Sequence, residues 1–384
     1  MNKEVYKKHN SFFSFKGKET DIIKQTYKRI LNAKKNKLGL ESLSQDHQKL
    51  LDKALRDLSN EDKKIEEPIF KLTENVLAEE ASLPDKYLLK YIVHRYRYEI
   101  FPKTKTLDDY PPCLQIEPSS ICNFRCVFCF ETDESFTNKK NGHMGRMSID
   151  LFKKIVDQAE GNVEFITLAS RGEPLASPEI IPMLNYTREK FLNLKLNTNA
   201  SMLDEKKCHA ILSDSVKTIV FSADAANEKL YSQLRVNGNL KEVLKNIELF
   251  QKIRETQYPN SSIISRVSGV KFSSEQDFDS MKSLWSGLVD QVAFVEYNPW
   301  ENSYLKKPNS IQTPCSDLWR RMFVWWDGKT NPCDVDYKSV LTVGNYPSKS
   351  LNQLWLSESY KTLRETHLNK KRSTIKPCSS CVVI

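Results

Sequence analysis

The chain has 384 residues, of which 39% are hydrophobic and 28% charged, and its formal net charge is +9. This composition is that of an ordinary soluble globular protein. No run of about 18 apolar residues and no apolar stretch near the start is present, so the sequence predicts neither a membrane span nor a secretory signal. We therefore expect a cytoplasmic protein, in which clustered cysteines more often bind metal or react than form disulfides.

Positive charge is concentrated at the start of the chain. Residues 1–40 hold 11 Lys or Arg against 3 Asp or Glu. Such a patch suits nucleic acid, an acidic membrane surface or a phosphorylated substrate, but it is also typical of a solvated helix face. Because no aromatic residues interleave the basic ones in the way that single-strand binders require, we favour the solvated face and predict no nucleic-acid partner.

The first hundred residues predict helices. Segments 21–35, 46–59 and 86–100 carry apolar residues at spacings of three and four, as one face of a helix requires. Pro102 and the proline pair in 108–112 are expected to end this pattern and mark a boundary. We predict a helical region over 1–105, and its role remains open between a lid, a partner surface and a scaffold.

Between residues 113 and 300, short apolar runs alternate with helical segments. Alternation of this kind indicates a parallel sheet with helices outside it, as in βα barrels and doubly wound folds. In both, ligands gather at the carboxyl ends of the strands. The predicted strands are 113–118, 163–170, 194–199, 216–224, 262–269 and 291–298, and the predicted helix caps are Ser148, Ser177, Asp204 and Ser274.

The last part of the chain, 301–384, has a different pattern. Residues 322–333 predict a hairpin with Asp327 and Gly328 at its turn. Residues 350–368 predict one helix, and the chain ends on a C-x2-C pair. We predict three domains: a helical region over 1–105, a barrel over 106–300 and a small cysteine-rich extension over 301–384.

Three cysteines follow the first predicted strand. Cys122, Cys126 and Cys129 have the spacing C-x3-C-x2-C. A structural zinc site needs a fourth ligand, for which His143 is the nearest histidine in sequence. The alternative is a [4Fe–4S] cluster in which three thiolates hold three irons and the fourth iron stays open to a small molecule. We favour the cluster.

The C-x3-C-x-aromatic-C pattern, with Phe128 as the aromatic residue, resembles that of the radical S-adenosylmethionine (radical SAM) superfamily. The resemblance covers about residues 113–300 and implies an α/β fold, a partial (β/α)6 TIM-like barrel. It also implies a [4Fe–4S] cluster whose open iron binds S-adenosylmethionine (SAM), which is cleaved to a 5′-deoxyadenosyl radical that abstracts hydrogen from the substrate. The cofactor then carries the chemistry and the protein positions it.

Further motifs follow the next three strands in order. "SRGEP" is similar to the family's Gly-Gly-Glu-Pro stretch, with Arg171 in place of the first glycine, and it implies contacts from Gly172 and Glu173 to the methionine amino group. The resemblance implies ribose contacts from Asn197, Thr198 and Asn199. Ser222 and Asp224 follow the fourth strand. Arg235 resembles the cation that meets the methionine carboxylate, a task that suits a guanidinium fork.

Four more cysteines lie in the extension. Their spacing around Gly328 resembles the SPASM pattern in its shortened, single-cluster "twitch" form, which implies a second, auxiliary [4Fe–4S] cluster closed by four thiolates. Zinc is the competing occupant, since a four-cysteine set with one C-x2-C pair also suits zinc. The four residues are Cys315, Cys333, Cys378 and Cys381. Two other cysteines, Cys113 and Cys208, are predicted to be packed and receive no role.

The resemblance implies an enzyme supplied with electrons by a flavodoxin- or ferredoxin-type reductant. We expect it to oxidise an alcohol of a sugar, amino sugar or sugar nucleotide, with the auxiliary cluster as electron acceptor. Modification of a peptide or protein side chain is the alternative, although 1–100 lacks the strand pattern of a winged-helix peptide-binding domain. A non-enzymatic, zinc-stabilised interaction protein is a more remote alternative.

Candidate substrate contacts follow the sixth predicted strand and lie in the predicted hairpin. Aromatic side chains there can stack on a sugar or a nucleobase, or can simply pack between the barrel and the extension. A proton acceptor for alcohol oxidation is required, but the pattern does not identify it. The candidates are Glu296, Tyr297, Trp300, Glu301, Trp325 and Trp326.

Overall fold

A computed structural model describes residues 19–59, 68–301 and 303–384. The described part of the first hundred residues is helical, as predicted, with one additional short helix. Its core is formed by buried leucine, isoleucine and aromatic side chains, among them Leu51, Leu88 and Ile92. The helices are α1 (Glu19–Lys35), α2 (Gln45–Ser59), α3 (Glu74–Ala81) and α4 (Asp85–Thr104).

Helix α4 continues past Pro102, so the prediction that this proline ends the helical pattern is wrong. Proline has no N–H, and the carbonyl of Tyr98, four residues earlier, therefore loses its helical partner. The Nε of Arg320 donates to that carbonyl at 3.0 Å and replaces it. The helix ends instead at Lys105, in the left-handed conformation (φ 58°). A side chain from the extension thus satisfies the helix at its proline.

The centre of the molecule is the predicted parallel sheet. Its six barrel strands lie side by side in chain order, and each pairs in parallel with the next. A two-residue antiparallel ladder, β2 (Arg125–Cys126) with β6 (Arg235–Val236), sits apart from the sheet. The barrel strands are β1 (Cys113–Ile116), β3 (Phe165–Leu168), β4 (Asn193–Thr198), β5 (Thr218–Ser222), β7 (Ile264–Lys271) and β8 (Gln291–Glu296).

Helices follow the strands, and they pack apolar side chains against one face of the sheet. The predicted caps Ser148 and Asp204 accept from backbone N–H groups of their helices. Those at Ser177 and Ser274 are wrong, because the helices begin later, after Glu179 and Asp277. The helices are α5 (Glu134–Thr137), α6 (Ile149–Ala159), α7 (Ile180–Tyr186), α8 (Glu205–Leu212), α9 (Glu228–Leu234), α10 (Leu240–Gln257) and α11 (Phe278–Ser286).

The extension joins the same sheet. Strand β9 (Arg321–Val324) pairs in parallel with β1, and the predicted hairpin returns as β10 (Lys329–Asn331) beside β11 (Gly344–Asn345). Gly328 takes φ 85° at the turn, where an added Cβ would lie 2.1 Å from the carbonyl oxygen of Tyr346. This left-handed, crowded position requires glycine.

The single helix predicted over 350–368 is wrong, since two helices occupy it, α12 (Leu351–Trp355) and α13 (Glu358–Leu368). The Ser357 hydroxyl accepts from the N–H of Tyr360 and starts the second helix. A serine here favours a cap over a continuous helix because its side chain replaces a missing backbone partner.

The helical region covers the amino ends of the barrel strands. Phe165 and Leu192, at the starts of β3 and β4, pack into its core, and Lys90 pairs with Glu164 at 2.8 Å. Ligands in such barrels bind at the opposite, carboxyl ends. The described part of this region is therefore a floor to the barrel, not a lid over the site. None of the helices in the described ranges is long and apolar enough to cross a bilayer.

Candidate active site and cysteine clusters

The three clustered cysteines lie on the loop that leaves β1 at its carboxyl end. Cys126 is held in β2, which pairs with β6, and the N–H of Cys129 donates to the carbonyl of Cys126 at 2.9 Å. The N–H of Phe124 lies 3.4 Å from the sulfur of Cys122. All three thiols are free of disulfides and are buried or half-buried. The loop therefore turns tightly enough to present three thiols together.

The electrostatics of the loop suit a positively charged cluster. Burial raises the pKa of Cys129 well above its usual range, and the charges of Cys126, Glu131 and Cys122 raise it further. Burial likewise raises the pKa of Cys126, against the opposing charge of Arg235. Thiolates crowded in this way need a cation between them. The donor set and the missing fourth thiol fit a [4Fe–4S] cluster with one open iron.

The "SRGEP" turn after β3 packs directly on the cysteine loop. A Cβ on Gly172 would lie 2.5–2.6 Å from backbone atoms of Ser119, Ser120 and Ile121, so only glycine fits. The N–H of Glu173 donates to the carbonyl of Ile121 at 3.1 Å. The two segments therefore hold a fixed distance from each other.

The carboxylate of Glu173 is fully buried and joins this turn to the end of β4. One oxygen accepts from the N–H of Leu175 at 3.0 Å and from the hydroxyl of Thr198 at 2.7 Å, and the other accepts from the N–H of Asn199 at 2.7 Å. Burial raises the pKa of Glu173 although these three donors oppose the shift. Glu173 thus orders the polar residues after β4.

Asn199, directly after β4, contacts the cysteine loop, and Asn197 lies inside β4 near its end. The amide of Asn199 donates to the side-chain oxygen of Asn123 at 3.0 Å and lies 3.9 Å from the sulfur of Cys122. The Oδ1 of Asn197 is buried and has no hydrogen-bond partner among the described residues. Because buried polar groups are normally satisfied, this oxygen is available to a ligand or to water.

The structure also brings Arg235 to the cysteine loop, paired with Asp224 at 2.6 Å. Its guanidinium lies 3.7 Å from the sulfur of Cys126 and 5.8 Å from the ring centre of Phe128. Asp224 is completely buried and also accepts from the N–H of Val270 at 2.5 Å. Ser222, at the end of β5, is only half-buried. Glu173, Asn199 and Arg235 therefore contact one another's segments or the cysteine loop at the carboxyl ends of the strands.

The candidate substrate residues separate into two groups. Trp300 donates from its ring nitrogen to the carbonyl of Phe128 at 3.1 Å, and Tyr297 donates to Glu301 at 2.5 Å, so this segment lies against the cysteine loop. Glu296 is exposed and pairs with Lys271.

The two hairpin tryptophans serve packing. Trp325 is completely buried and donates to the hydroxyl of Ser339, and Trp326 donates to the carbonyl of His143. These contacts agree with the alternative in which the two rings pack between the barrel and the extension. The ring of His143 itself stacks on Phe136.

Sequence reasoning missed a buried ion pair beside the site. Glu117, at the end of β1, accepts from Arg171 at 2.6 and 2.7 Å. The sequence pattern identifies Arg171 only as the residue that replaces the first glycine of the motif. The signal was available, since an acidic residue and a basic residue follow neighbouring parallel strands, whose carboxyl ends meet at one edge of the sheet.

The four cysteines of the extension form a second set. Burial raises the pKa of Cys378 well above its usual range, and the charges of Cys381 and Cys315 raise it further; the pKa of Cys333 is raised by burial and by Cys378. The guanidinium of Arg372 binds the carbonyls of Cys378 and Cys381 and fixes the final turn. Four cysteines whose charges influence one another fit a fully ligated cluster.

Zinc, the competing occupant, binds as a single ion held by four ligands. Within the described ranges, no three His, Cys, Asp or Glu side chains are placed to hold one metal ion. His143, whose ring stacks on Phe136, belongs to no such group among the described residues.

Comparison with protein families gives two matches. The model of the radical SAM superfamily matches residues 116–281. The model of an iron–sulfur cluster-binding domain, SPASM, matches residues 315–382. The first match contains the three-cysteine loop and the motifs after β3 to β5, and the second contains all four cysteines of the extension.

Known relatives are distant. The tungsten-containing aldehyde ferredoxin oxidoreductase cofactor-modifying protein of Pyrococcus furiosus is 23% identical over 69% of this chain and 86% of its own length. The AdoMet-dependent heme synthase of Methanosarcina barkeri is 25% identical over 37% of this chain and 40% of its own length. The structure of Streptococcus suis SuiB bound to precursor peptide SuiA aligns with a TM-score of 0.54 at 16% identity, covering 85% of this chain and 79% of SuiB. That likeness shows the fold.

Proposed function

The chain is a radical SAM enzyme with an auxiliary iron–sulfur domain of the SPASM/twitch type, and from this premise we propose that it oxidises an alcohol of a sugar, amino sugar or sugar nucleotide. Its cofactors are a SAM-binding [4Fe–4S] cluster, SAM and an auxiliary [4Fe–4S] cluster. Bound together, the first cluster and SAM supply a 5′-deoxyadenosyl radical that abstracts hydrogen. We further propose the domain division 1–105, 106–300 and 301–384 and a flavodoxin- or ferredoxin-type reductant.

In this proposal each motif has one task. The thiolates of Cys122, Cys126 and Cys129 hold the first cluster, with Phe128 packed beside it. Gly172 lets backbone and ligand approach closely, and Glu173 orders the turn that meets the methionine amino group. The remaining contacts to SAM come from Asn197, Asn199, Ser222, Asp224 and Arg235, and the second cluster is held by Cys315, Cys333, Cys378 and Cys381.

The observation that carries the proposal is a set of polar atoms without partners at the carboxyl ends of the strands. Ser170 Oγ follows β3 and Asn197 Oδ1 lies near the end of β4, while Asn298 Nδ2 and Glu301 Oε2 follow β8. Each atom is buried and makes no hydrogen bond to the described part of the chain. Hydroxyls and amides in such positions suit a ligand rich in hydroxyl groups. The first pair lies among the SAM motifs, and we assign the pair after β8 to the substrate.

Oxidation of a carbinol carbon requires the loss of a hydrogen atom, a proton and an electron. Glu301 is placed to accept the hydroxyl proton at Oε2, because Tyr297 occupies only its other oxygen. General bases need such an open position near the reacting group. The four-thiol set of the extension leaves no iron open, which suits an electron acceptor better than a substrate site.

Contacts between the extension and the cysteine loop support this role for the second cluster. The ring of Tyr337, four residues after Cys333, stacks on Phe130 with centroids 4.9 Å apart, and Phe130 directly follows Cys129. On its other side, Tyr337 meets the ring of Tyr304 at 5.0 Å. The two cysteine sets are thus joined by packed aromatic rings, with the substrate segment beside them.

A peptide or protein side chain is the second candidate substrate. The SuiB structure that shares this fold contains a bound precursor peptide. The described part of residues 19–105 contains helices and their connecting loops but no strand. It lies at the amino ends of the barrel strands, opposite the site. If a peptide binds, it must therefore be recognised by the barrel mouth or the extension.

The test measures 5′-deoxyadenosine after anaerobic reconstitution, with panels of sugar nucleotides, aminocyclitols and peptides. A sugar substrate deuterated at its carbinol carbon should transfer deuterium into 5′-deoxyadenosine and yield a ketone. Stimulation by peptides alone would contradict the sugar proposal and establish the second candidate.

The variant Cys378→Ala/Cys381→Ala should still cleave SAM but form no oxidised product. Product formation at the normal rate by this variant would limit the second cluster to a structural role.

Glu301→Gln tests the proton acceptor. This variant should retain hydrogen abstraction and slow ketone formation by about 10²-fold or more.

A further inference from the structure

The ion pair of Glu117 and Arg171 is a node where three segments meet. Both side chains are buried, at 0% and 3% exposure. The carboxylate of Glu117 accepts from the backbone N–H of Arg171 at 3.2 Å and from two nitrogens of its guanidinium. It also accepts from the N–H of Trp326, in the hairpin turn of the extension, at 3.2 Å. The pair therefore joins the ends of β1 and β3 to the extension.

The third guanidinium nitrogen of Arg171 reaches the loop after Cys333, one of the four cysteines of the extension. It donates to the backbone carbonyl of Tyr337 at 2.9 Å, four residues after Cys333. The guanidinium also lies 4.3 Å from the ring centre of Trp325 and 5.5 Å from that of Phe136. Only arginine can pair two carboxylate oxygens and still reach a third acceptor in one plane.

The loop on the far side is itself rigidly held. The buried carboxylate of Asp336 accepts from the N–H groups of Val340 and Leu341 at 3.0 and 2.8 Å, and from the hydroxyl of Tyr304 at 2.6 Å. These bonds order the loop that holds the Tyr337 carbonyl. Only three residues separate Cys333 from Tyr337 in the sequence, so the cysteine and the carbonyl bound by Arg171 lie on one short, ordered loop.

On the near side, Arg171 belongs to the turn that we assign to SAM. Ser170 has φ 146°, a conformation that costs free energy in a non-glycine residue and persists only where its surroundings impose it. Gly172 and Glu173 are fixed on the cysteine loop by the contacts described above. Buried ion pairs add little net stability but can select one arrangement over others. Here the selected arrangement is that of the turn.

We propose that Arg171 is a positioning residue through which assembly of the extension's four-cysteine site preorganises the SAM-binding turn, so that SAM binds more tightly when that site is filled. This inference rests on the proposed assignment of the turn to SAM. It makes the two metal sites thermodynamically coupled, and coupling of this kind is expected at about 5- to 150-fold in affinity.

The test is a double-mutant cycle on the dissociation constant of SAM, measured by anaerobic calorimetry on reconstituted protein. Cys378→Ala/Cys381→Ala should weaken SAM binding about tenfold, and Arg171→Lys should weaken it by a similar factor. The combined variant should bind no more than about twofold more weakly than Arg171→Lys alone. The proposal would be overturned if the losses of affinity in the two variants multiply in the combined variant. It would also be overturned if the substitutions at Cys378 and Cys381 leave the dissociation constant of SAM unchanged.

Tyr337→Phe is the matched control. It removes hydrogen bonds from the Tyr337 hydroxyl to Asp133 and to the carbonyl of Glu301 but keeps the backbone carbonyl that Arg171 binds. This variant should bind SAM with nearly normal affinity. A tenfold loss in this control would show that any disturbance of the loop weakens SAM binding and would contradict a specific role for Arg171.

Hydrogen–deuterium exchange keeps the proposal testable should Arg171→Lys not fold. In the otherwise unchanged chain, Cys378→Ala/Cys381→Ala should speed exchange in residues 169–175; unchanged exchange there would overturn the coupling. Failure of the SAM assignment has a different signature, because the intact reconstituted protein would then not bind SAM at all. Failure of the sugar proposal alone would leave SAM binding and its coupling to the extension unchanged.

Discussion

The sulfurs of the first cysteine set receive polar contacts from outside their own loop. Asn199 lies 3.9 Å from the sulfur of Cys122, and Arg235 lies 3.7 Å from that of Cys126. Hydrogen bonds to ligating sulfurs are one of the means by which proteins set the potential of an iron–sulfur cluster. The sequence predicts both residues as contacts to SAM, and the structure places them beside the thiols.

Replacing Cys122, Cys126 and Cys129 together by alanine should abolish SAM cleavage and remove about half of the roughly eight irons that two [4Fe–4S] clusters contain. The signal of the auxiliary cluster in electron paramagnetic resonance should persist. Cys208→Ala is the control, because Cys208 is buried in α8, outside both sets. Detection of 5′-deoxyadenosine from the triple variant would contradict the assignment.

At the scale of single residues, the sequence predicts those that belong to a motif at a strand end. It does not predict residues whose role depends on a contact with a distant part of the chain. The motifs after β3, β4 and β5 were found because each follows a strand end, where ligands gather. The bond from Arg171 to Tyr337 joins residues 166 positions apart. Nothing local in either segment specifies it, since it depends on how the extension docks on the barrel.

Among the elements, α4 is the clearest case of a local rule overridden by tertiary contact. Proline normally ends or kinks a helix because it leaves a carbonyl without a donor. Here Arg320, 2% exposed, supplies that donor from the extension. The six barrel strands, by contrast, lie within about two residues of their predicted ends, because apolar runs between turn residues are strong local signals.

Arg320→Met should destabilise the protein by about 2–4 kcal/mol, because it leaves the carbonyl of Tyr98 without a donor and removes the charge beside the buried Asp317. Pro102→Ala restores a backbone N–H four residues after Tyr98. It should therefore recover about 1 kcal/mol in the Arg320→Met background and less in the wild type. Urea unfolding of the four proteins gives the coupling; equal effects of Pro102→Ala in both backgrounds would refute the compensation.

On the scale of the whole molecule, the predicted boundary at 108–112 is a junction. The carboxylate of Asp108 binds His47 of α2 at 3.1 Å and Arg97 of α4 at 2.8 Å. Its backbone carbonyl accepts from the ring nitrogen of Trp355, in α12, at 3.0 Å. A proline-rich, charged segment predicts a linker by composition, but one residue of it joins the helical floor to the extension. Composition does not show such partners.

The Asp108 carboxylate should make stability depend on pH. Burial raises its pKa, but the hydrogen bond from His47, the charge of Arg97 and the N–H of Asp109 outweigh burial and hold the pKa at about 2. A carboxylate with a depressed pKa stabilises the folded state above its unfolded value of 3.8, and this stabilisation is lost as pH falls towards 2. The shift corresponds to about 2 kcal/mol at pH 7 and about half of that near pH 3.

Asp108→Asn should therefore lower the free energy of unfolding by about 2 kcal/mol at pH 7, and the difference from wild type should shrink between pH 4 and pH 2. Asp109→Asn is the matched control, because Asp109 is exposed and contributes only backbone contacts to the junction. Urea unfolding of the three proteins at several pH values measures both differences. A loss that stays constant with pH, or an equal loss in Asp109→Asn, would show that the charge of Asp108 does not join the helical floor to the rest of the chain.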